Sequence, residues 1–427
     1  IMSQKYDVVC TNPPYMGRKG MNPNFSNYIN DKYPDSKSDL FAVFMECCVE
    51  FTKKNKFTSM LTQNSWMFLF SFHSLRLKIY SNFTMINMVH LGYGTFGADF
   101  GTTTFVLRKL NIRDYNALYV RLVDYRNIEE KDKQYFNKEN YMLASFEKFR
   151  LIPGNPLAYW INKSLIETFR RNKFLESKIE AVKGLDTCDN NTFVRLWYEV
   201  IFKKIGMNIK NCSETYKHKW YPYCKGGNQR KWYGNYENVV LWENDGDVLR
   251  NLRDSKGRIK SRPQNTKYYF QRGMTWSAIS STGKISMREM DNAIFGGGGS
   301  GLFTHKEIYK IIFALLNSKV TLEILKILNP TLNFLVGDLK KIPLMPVSNS
   351  HKAEIDNMVD INIKISKTDW DSFETSWDFK KHPLLTHKKE ANTIEESFNN
   401  WSTFAENQFN QLKANEEELN RIFIEIY

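Results

Sequence analysis

The sequence is poor in the patterns that build metal sites and membrane spans. Its six cysteines form no C-x-x-C pair and have no histidine at zinc-finger spacing, which argues for reduced thiols rather than a metal site. The seven histidines form neither an H-E-x-x-H pattern nor a triad-like arrangement, so metal-dependent hydrolysis is not indicated. No run of about 18 apolar residues and no signal-peptide pattern occurs. We therefore predict a cytoplasmic protein that has no membrane-spanning segment and binds no metal.

The chain is long and is rich in aromatic and positively charged residues. With 427 residues, the chain is longer than one hydrophobic core usually organises, so two or three domains are expected. Aromatic residues make up 15% and charged residues 25% of the chain, a balance typical of folded proteins. Lys and Arg total 60 against 46 Asp and Glu, a formal net charge of +14. This excess favours a polyanionic partner.

Hydropathy patterns divide the chain into four segments, residues 1–110, 111–175, 176–345 and 346–427. In the first, apolar strand-like runs alternate with helical patterns, which is typical of an α/β sheet. The second is charged and rich in turn signals, and we predict a connector. The third has many short strand-like runs, which predict a β-rich domain. In the fourth, apolar residues recur every seven positions from 398 to 426, which predicts a helix with an apolar seam.

The positive charge is concentrated in the third segment. Residues 201–290 carry 18 Lys and Arg against 7 Asp and Glu, interleaved with aromatic residues. A solvated basic face is one interpretation, and phosphate neutralisation by a nucleic-acid-binding surface is the one we favour. The residues that we expect to contact phosphates or base edges are Arg230, Lys231, Arg253, Arg258, Lys260, Arg262 and Arg272.

The sharpest chemical signal is the tetrapeptide Asn12-Pro13-Pro14-Tyr15, directly after the first strand-like run. Two prolines fix φ and remove two amide donors, so a rigid loop presents bare carbonyl oxygens. The Asn12 amide oxygen and the Pro13 carbonyl could each accept a hydrogen bond from one NH₂ group, while the Tyr15 ring stacks on a planar substrate. Binding both protons directs the nitrogen lone pair toward a methyl donor. An ordinary Pro-rich turn is the alternative, but open α/β sheets bind ligands at this position.

The tetrapeptide resembles the catalytic motif of S-adenosylmethionine-dependent methyltransferases that act on exocyclic or amide nitrogens. Adenine in DNA, guanine in RNA and a glutamine in release factors are substrates of such enzymes. Further stretches resemble the bacteriophage-exclusion (BREX) adenine methyltransferases of the PglX group and their type IIG restriction–modification relatives. Those stretches are residues 38–44, 62–66, 92–97, 102–107, 184–190, 195–197, 219–223, 230–234, 273–277, 315–319, 328–334 and 337–343. The resemblance therefore covers nearly the whole chain.

This resemblance implies an α/β fold, in which a partial Rossmann-like methyltransferase sheet precedes a mixed α/β, β-rich target-recognition domain and a C-terminal helical segment. Residues 1–110 would be the C-terminal half of the catalytic domain, and residues 176–345 would be the target-recognition domain. Residues 12–15 would be catalytic. Phe96, with Phe100 in reserve, would pack with Tyr15 against the flipped base, and Asp39 is a candidate contact for the cofactor S-adenosylmethionine.

One departure from the family concerns the cofactor. In the family, the glycine-rich loop that binds S-adenosylmethionine precedes the catalytic tetrapeptide. In this sequence, eleven residues precede Asn12. We therefore expect the main cofactor site and any nuclease to lie outside these residues, and the chain alone to be inactive. A G-x-G-x-x-G pattern at Gly296, Gly298 and Gly301 is not interpreted as a nucleotide loop, because no βαβ unit surrounds it.

The favoured function is methyl transfer to the exocyclic N6 amine of a flipped adenine in double-stranded DNA, in phage defence or restriction–modification. The alternatives are an RNA base methyltransferase and a non-catalytic DNA-recognition subunit of a defence complex. Double-stranded DNA is the expected partner, and other phage-defence proteins are implied by the resemblance. The DNA recognition sequence depends on docking geometry and does not follow from the residues alone.

Overall fold

The computed structural model of the chain describes residues 4–95, 97 and 100–427. The chain divides into two compact units, one of Ile1–Arg171 with Ile327–Pro330 and one of Asn172–Lys326 with Thr331–Tyr427. Within the described ranges, every helix is too short or too polar to cross a bilayer.

A six-stranded sheet forms the centre of the first unit. Its strands are β1 (Tyr6–Thr11), β2 (Thr52–Gln63), β3 (Thr84–Gly92), β4 (Thr102–Arg108), β5 (Ala117–Arg121) and β6 (Tyr141–Ala144). The order across the sheet is β1-β2-β4-β3-β5-β6, with β1 parallel to β2, and β4 antiparallel to both β2 and β3. This mixed sheet confirms the predicted α/β, Rossmann-like fold.

Helices connect these strands. They are α1 (Pro23–Lys32), α2 (Leu40–Phe51), α3 (His73–Asn82), α4 (Ile128–Tyr135), α5 (Phe146–Phe149) and α6 (Lys163–Arg171). Both α1 and α2 begin at side-chain caps, since Asn22 and Asp39 each accept a backbone N–H of the first turn. Apolar side chains of α2 and α3 pack on the sheet with Trp66, Phe105 and Tyr119, which are completely or almost completely buried.

The segment predicted as a connector takes part in the first unit. Residues 117–121 and 141–144 form β5 and β6, and β5 pairs in parallel with β3. Buried Tyr119 and Ala144 place this segment in the same hydrophobic core as α2 and α3. The sheet therefore extends beyond residue 110.

The second unit contains two four-stranded sheets and one strand pair. Its strands are β7 (Lys173–Phe174), β8 (Ile179–Val182), β9 (Val194–Leu196), β10 (Trp220–Cys224), β11 (Asn238–Leu241), β12 (Gly273–Ser277), β13 (Met287–Met290), β14 (Ile294–Phe295), β15 (Gly299–Thr304) and β16 (Pro343–Leu344). The sheet orders are β14-β10-β11-β9 and β13-β12-β15-β8, and β16 pairs with β7. The predicted β-rich region is thus present.

The G-x-G-x-x-G pattern lies in β15 and the turn that precedes it. A Cβ atom added at Gly299 would stand 2.6 Å from the Cys224 carbonyl oxygen, so only glycine permits this approach to β10. The neighbouring Gly296 amide donates to the same carbonyl at 3.0 Å. A Cβ atom at Gly298 of the pattern would likewise stand 2.8 Å from the Lys225 carbonyl oxygen. Close packing against β10 and the residue after it therefore accounts for the glycines of this segment, in agreement with the rejection of a nucleotide loop.

Helices dominate the end of the chain. The helices after residue 172 are α7 (Asn190–Phe193), α8 (Glu243–Arg250), α9 (Lys306–Asn317), α10 (Lys319–Leu328), α11 (Val336–Lys340), α12 (Asn349–Trp370), α13 (Pro383–Thr386) and α14 (Ile394–Ile426). The 33-residue helix α14 confirms the predicted C-terminal helix. Its buried Leu419 lies on the predicted seam, and buried Ile422 and Phe423 lie beside it.

Candidate active site

Three loops of the first unit meet at one edge of its sheet. Because β4 is antiparallel to both β2 and β3, and β1 is parallel to β2, strands β1, β2 and β3 all point the same way. Their carboxyl ends carry residues 12–15 (the NPPY loop), residues 64–67 and residues 93–101 (the β3–β4 loop). The carboxyl edge of an open sheet is the usual ligand site of such folds.

The NPPY loop presents its asparagine to solvent and holds its tyrosine in place. Asn12 and Pro14 are exposed, whereas Pro13 is buried. The Tyr15 hydroxyl donates to the Asn12 Oδ1 atom at 2.8 Å and lies 3.3 Å from the Leu61 carbonyl oxygen. Burial raises the pKa of Tyr15, so the phenol remains a neutral donor. An amide oxygen has two lone pairs, and one on Asn12 is left for a ligand.

The Tyr15 ring lies among aromatic side chains. Its centroid is 5.0 Å from that of Phe100, with the ring planes at 81°, and 6.2 Å from that of Phe41, at 74°. Both are edge-to-face contacts. Phe96, our first choice for base packing, lies outside the described residues, whereas the reserve residue Phe100 contacts Tyr15 directly.

Asp39 fixes the chain that leaves the NPPY loop. Its Oδ1 atom accepts the backbone N–H of Met16 at 3.0 Å and that of Phe41 at 3.4 Å. Burial raises the pKa of this carboxyl group, opposed by the backbone hydrogen bonds. Asp39 therefore acts both as the N-cap of α2 and as an anchor for the loop, and its predicted contact with a cofactor stays a prediction.

Behind the carboxyl edge, Asn64, His90 and Tyr159 form a chain of hydrogen-bonded side chains, which we name the polar relay. The sequence did not predict it. The Asn64 side-chain nitrogen lies 2.9 Å from His90 Nε2, and His90 Nδ1 lies 3.0 Å from the Tyr159 hydroxyl. Burial lowers the pKa of His90 to about 3, with a smaller contribution from Arg121, so the imidazole is neutral at neutral pH. No spacing rule links partners 69 residues apart, as His90 and Tyr159 are.

This relay contacts the β3–β4 loop next to Phe100. The Asn64 amide donates to the Gly101 carbonyl at 2.9 Å, and a Cβ atom at Gly101 would lie 2.5 Å from the Asn64 side chain. Only glycine therefore fits against Asn64 at this position. The relay thus fixes one end of the loop, and the buried Lys131 ammonium fixes the other by donating to the Tyr93 carbonyl oxygen.

Arg76 joins residues 64–69 to a distant turn. It is fully buried and donates to the carbonyl oxygens of Trp66 at 2.7 Å, Leu69 at 2.8 Å, Gly154 at 2.6 Å and Asn155 at 3.0 Å. Burial lowers the pKa of Arg76 to about 10, which leaves it charged. It therefore supports the loop that follows β2.

The structure brings four of the seven predicted basic contacts together. Arg253, Arg258, Lys260 and Arg262 are all exposed on residues 252–262, which we name the basic loop. Asp254 closes this loop, because its carboxylate accepts the backbone amides of residues 256 and 258 and the Arg258 Nε at 2.8 to 3.0 Å. These hydrogen bonds, the Arg258 amide first, lower the pKa of Asp254.

The other three predicted contacts are engaged elsewhere in the second unit. Arg230 pairs with Asp369 at 3.0 Å, and Lys231 pairs with Glu416 at 2.8 Å. Arg272 pairs with Glu289 at 2.6 Å. Their role as DNA contacts stays a prediction, and their observed partners are carboxylates of the same chain.

Metal coordination has no support in the ranges that the structure describes, since no three His, Cys, Asp or Glu side chains group there as ligands.

Solved structures resemble this chain in fold. The type IIL restriction-modification enzyme MmeI, in complex with DNA, superposes with a TM-score of 0.57 over 98% of this chain and 57% of its own, at 11% sequence identity. The DrdV–DNA complex gives a TM-score of 0.51 over 85% of this chain and 45% of its own, also at 11% identity. At such identities the likeness concerns the fold alone.

Sequence comparison is more specific. Residues 1–96 match the family model of the Eco57I restriction-modification methylases. The adenine-specific methyltransferase PglX of Lacticaseibacillus casei and the adenine-specific methyltransferase BrxX of Escherichia coli O9:H4 are each 38% identical, over 444 and 437 residues that include 100% of this chain. The chain spans 36% and 34% of their lengths. It is therefore homologous, along its whole length, to adenine-specific methyltransferases of the PglX and BrxX family.

Proposed function

We propose that this chain carries the catalytic loop and the target-recognition region of a methyltransferase that modifies the N6 amine of adenine in double-stranded DNA, in phage defence or restriction–modification. The observation that carries the proposal is the exposed Asn12 at the carboxyl edge of the sheet, with its amide oxygen held by Tyr15. Full-length similarity to enzymes named adenine-specific methyltransferases supports this assignment.

The NPPY loop would hold the amine of an everted adenine. One N6–H would donate a hydrogen bond to Asn12 Oδ1 and the other to the Pro13 carbonyl oxygen, which accepts no hydrogen bond from the described residues. With both protons held, the nitrogen lone pair is turned out of the ring plane toward the methyl donor. S-adenosylmethionine, when bound, supplies the methyl group. Forming the N–C bond would break the methyl–sulfur bond of the donor, leave the donor as a neutral thioether and release one N6 proton to solvent, so no strong base is required of this loop.

Tyr15 has two tasks in this proposal. Its hydroxyl orients the Asn12 amide, and its ring stacks on the adenine, which helps offset the few kcal/mol that flipping costs. A base sandwiched between Tyr15 and Phe100 needs more room than the present 5.0 Å between centroids. A base stacked between the two rings would therefore require the Phe100 side chain to move away from Tyr15. The role of Phe96 stays a prediction.

The cofactor would be held mainly by residues outside this chain. The chain spans 36% and 34% of the lengths of its PglX and BrxX relatives, which leaves most of the full-length protein to supply that site. Asp39 already uses Oδ1 for two backbone amides, which favours a positioning role over cofactor binding. The edge of β1 away from β2 has no paired strand among the described residues, and Val8 is 60% exposed there. We propose that a further strand of the full-length protein pairs with this edge.

The basic loop is the part of the second unit that we assign to DNA. Its exposed Arg253, Lys260 and Arg262 can neutralise phosphates, whereas Arg258 is already paired with Asp254 at 2.8 Å. The DNA complexes of MmeI and DrdV, which share this fold, support a duplex partner. Arg230 and Lys231 would contribute less, because carboxylates of the chain already neutralise them. Contacts with other phage-defence proteins are proposed from the family resemblance.

Methyl transfer by the full-length protein tests the assignment of Asn12. We expect Asn12→Ala to lower transfer from radiolabelled S-adenosylmethionine to duplex DNA by about a hundredfold or more, because a positioned acceptor is lost. Binding of the same duplex in a gel-shift titration should be unchanged. Undiminished methylation by the variant would refute the role of the NPPY loop.

Two controls complete this experiment. Asn111→Ala removes an exposed asparagine of the same unit, far along the chain from the NPPY loop, and should leave transfer intact. Competition between duplex DNA and transfer RNA separates DNA from RNA as the substrate, since an RNA base methyltransferase would prefer the structured RNA. An excess of RNA that abolishes DNA methylation would favour that alternative.

A further inference from the structure

The basic loop of the second unit is a closed hairpin. Arg253 and Ile259 form an antiparallel bridge between its two arms. The Asp254 amide donates to the Arg258 carbonyl oxygen at 2.9 Å, and the Asp254 carboxylate accepts two further backbone amides at 2.8 and 3.0 Å. Residues 255–257 make the turn that joins the arms. A hairpin held in this way keeps its shape before a partner binds, so little ordering entropy is lost on binding.

The hairpin is anchored at its base and exposed at its turn. Arg262 exchanges two backbone hydrogen bonds with Asp186, at 2.8 and 3.0 Å. The buried Ser261 donates its hydroxyl to the Leu249 carbonyl oxygen. Residues 255–260 are all exposed. The basic loop therefore projects from the second unit with its turn foremost.

Cations lie on both faces of the hairpin. Because the bridge places Arg253 and Ile259 directly opposite each other, their side chains share one face. Side chains alternate along each arm, so Lys260, the residue after Ile259, lies on the other face. A hairpin that lay flat on the surface of DNA would turn one of these two cations away from the phosphates.

The turn carries the least compensated charge of the basic loop. The loop has five Lys and Arg residues and one carboxylate, Asp254, which pairs with Arg258 at 2.8 Å. Two more carboxylates, Asp186 and Asp189, lie near the base of the hairpin. The turn holds Lys256, which is exposed and takes part in none of the ion pairs of the described residues.

We propose that the basic loop enters the major groove of duplex DNA turn first and that Lys256 reads a guanine there through its N7 and O6 atoms. The major groove, about 12 Å wide, admits two antiparallel strands, whereas the minor groove, about 6 Å wide, is too narrow. Cations on both faces then meet the phosphates on both sides of the groove. The inference rests on the proposed function, since duplex DNA is the partner, and adds a residue that determines sequence specificity.

The dimensions of the hairpin match those of the groove. From the bridge between residues 253 and 259 to the middle of the turn, each arm spans about three residues, or about 10 Å. The major groove is about 8.5 Å deep. The turn therefore reaches the base edges while Arg253 and Lys260 stay level with the phosphates. A Lys ammonium has only donors, and guanine presents two adjacent acceptors to it.

Sequence selection by binding tests the role of Lys256. The full-length protein and its variants are equilibrated with a library of randomised duplexes, and the bound fraction is sequenced. We expect the parent to prefer guanine at one position and Lys256→Ala to reduce this preference by at least about tenfold. Lys256→Arg should retain the preference, because a guanidinium also donates to N7 and O6.

Two other exposed lysines of the same unit provide matched controls. Lys260→Gln removes a phosphate contact, so it should weaken all sequences alike by about threefold to tenfold without altering the preferences. Lys306→Ala, at the start of α9, should change neither affinity nor preference. Because these lysines and Lys256 are exposed, the unfolding temperatures of all variants should equal that of the parent.

A modified base locates the contact in the major groove. 7-Deazaguanine replaces N7 by a C–H group and leaves Watson–Crick pairing intact. Placed at the guanine that the parent selects, it should weaken binding by the parent by about threefold to tenfold. In Lys256→Ala the same base should change binding by less than about twofold, because the contact is already absent.

Three results would overturn the proposal. They are unchanged or uniformly weakened binding by Lys256→Ala with the preferences of the parent retained, equal losses from 7-deazaguanine in the parent and in Lys256→Ala, and no binding of duplex DNA by the full-length protein. The first two leave the proposed function standing, whereas the third also removes its substrate. All three are measured by binding and Asn12 is tested by methyl transfer, so the two failures are distinguishable.

Discussion

The carboxyl edge of the first sheet and the basic loop of the second unit both present polar groups, but they are built in opposite ways. At the edge, buried His90 and Arg76 and half-buried Asn64 hold the loops through hydrogen bonds largely shielded from water. The basic loop is closed by Asp254, and its cations remain exposed. A site that positions one amine benefits from rigid buried support, whereas a surface that binds phosphates needs charges that are free to meet them.

The largest effect should come from breaking the buried support. Arg76→Ala removes one donor from each of four buried or half-buried carbonyl oxygens, of which those of Leu69 and Asn155 keep another donor, and it opens a cavity. We therefore expect a loss of about 3 to 5 kcal/mol in the free energy of unfolding. Denaturant titration of the full-length protein measures this loss, which is read from the unfolding transition of the first unit. Arg113→Ala, at an exposed arginine, should change stability by less than about 0.5 kcal/mol. Equal stability of the two variants would show that Arg76 does not support the edge.

A pH titration probes the relay. His90 has a pKa of about 3 when folded and about 6.5 when unfolded, so the unfolded chain binds the extra proton between these values. Stability should therefore be unaffected above pH 6.5 and fall by about 1.4 kcal/mol per pH unit below it. We expect His90→Gln to flatten this slope between pH 6.5 and 5, as measured by thermal unfolding. His305→Gln, at an exposed position, serves as the control, and an unaltered slope in His90→Gln would contradict the neutral, buried imidazole.

Removing single positive charges from the basic loop tests whether its exposed cations bind DNA. Lys260→Gln and Arg262→Gln should each weaken duplex binding by about threefold to tenfold and reduce the slope of log K against log salt by about one. Thermal stability should stay the same, because these side chains are exposed. Lys231→Gln should alter DNA binding less, since Glu416 neutralises Lys231. Equal losses from Lys260→Gln and Lys231→Gln would remove the distinction between free and paired cations.

The smallest effect is expected at the residue that closes the basic loop. Asp254→Asn keeps the shape of the side chain but weakens its bonds to the backbone amides of Lys256 and Arg258. We expect faster amide hydrogen exchange over residues 255–258 with a change below about 1 kcal/mol in global stability. Exchange that stays at the parent rate would mean that Asp254 does not order the loop.

Local signals predicted much of the fold and the centre of the candidate site. Alternating apolar runs indicated the α/β sheet of the first unit, and the heptad pattern indicated α14. The NPPY loop was identified because its chemistry resides in four consecutive residues. Strands β5 and β6 were missed, because the charged segment around them conceals short strands that gain stability only from pairing with β3 and with each other.

Local sequence signals could not predict contacts between residues that are far apart in the chain. Arg76 and Asn155 are 79 positions apart, and His90 and Tyr159 are 69 apart, so no periodicity connects them. The basic residues show the same limit, since sequence reasoning counted Lys231 and Lys260 alike. Only the packing of α14 brings Glu416 to Lys231 and leaves the Lys260 side chain exposed.

The amino-acid sequence by itself determined the rigid acceptor loop, the α/β alternation, the basic composition and the helical seam, because each depends on neighbouring residues or on a regular repeat. Tertiary structure alone decided which cations stay unpaired, which buried polar groups hold the loops, and which half of the α14 seam is covered. These depend on surfaces that meet only after the chain has folded, where burial and distance rather than residue type set the strength of each interaction.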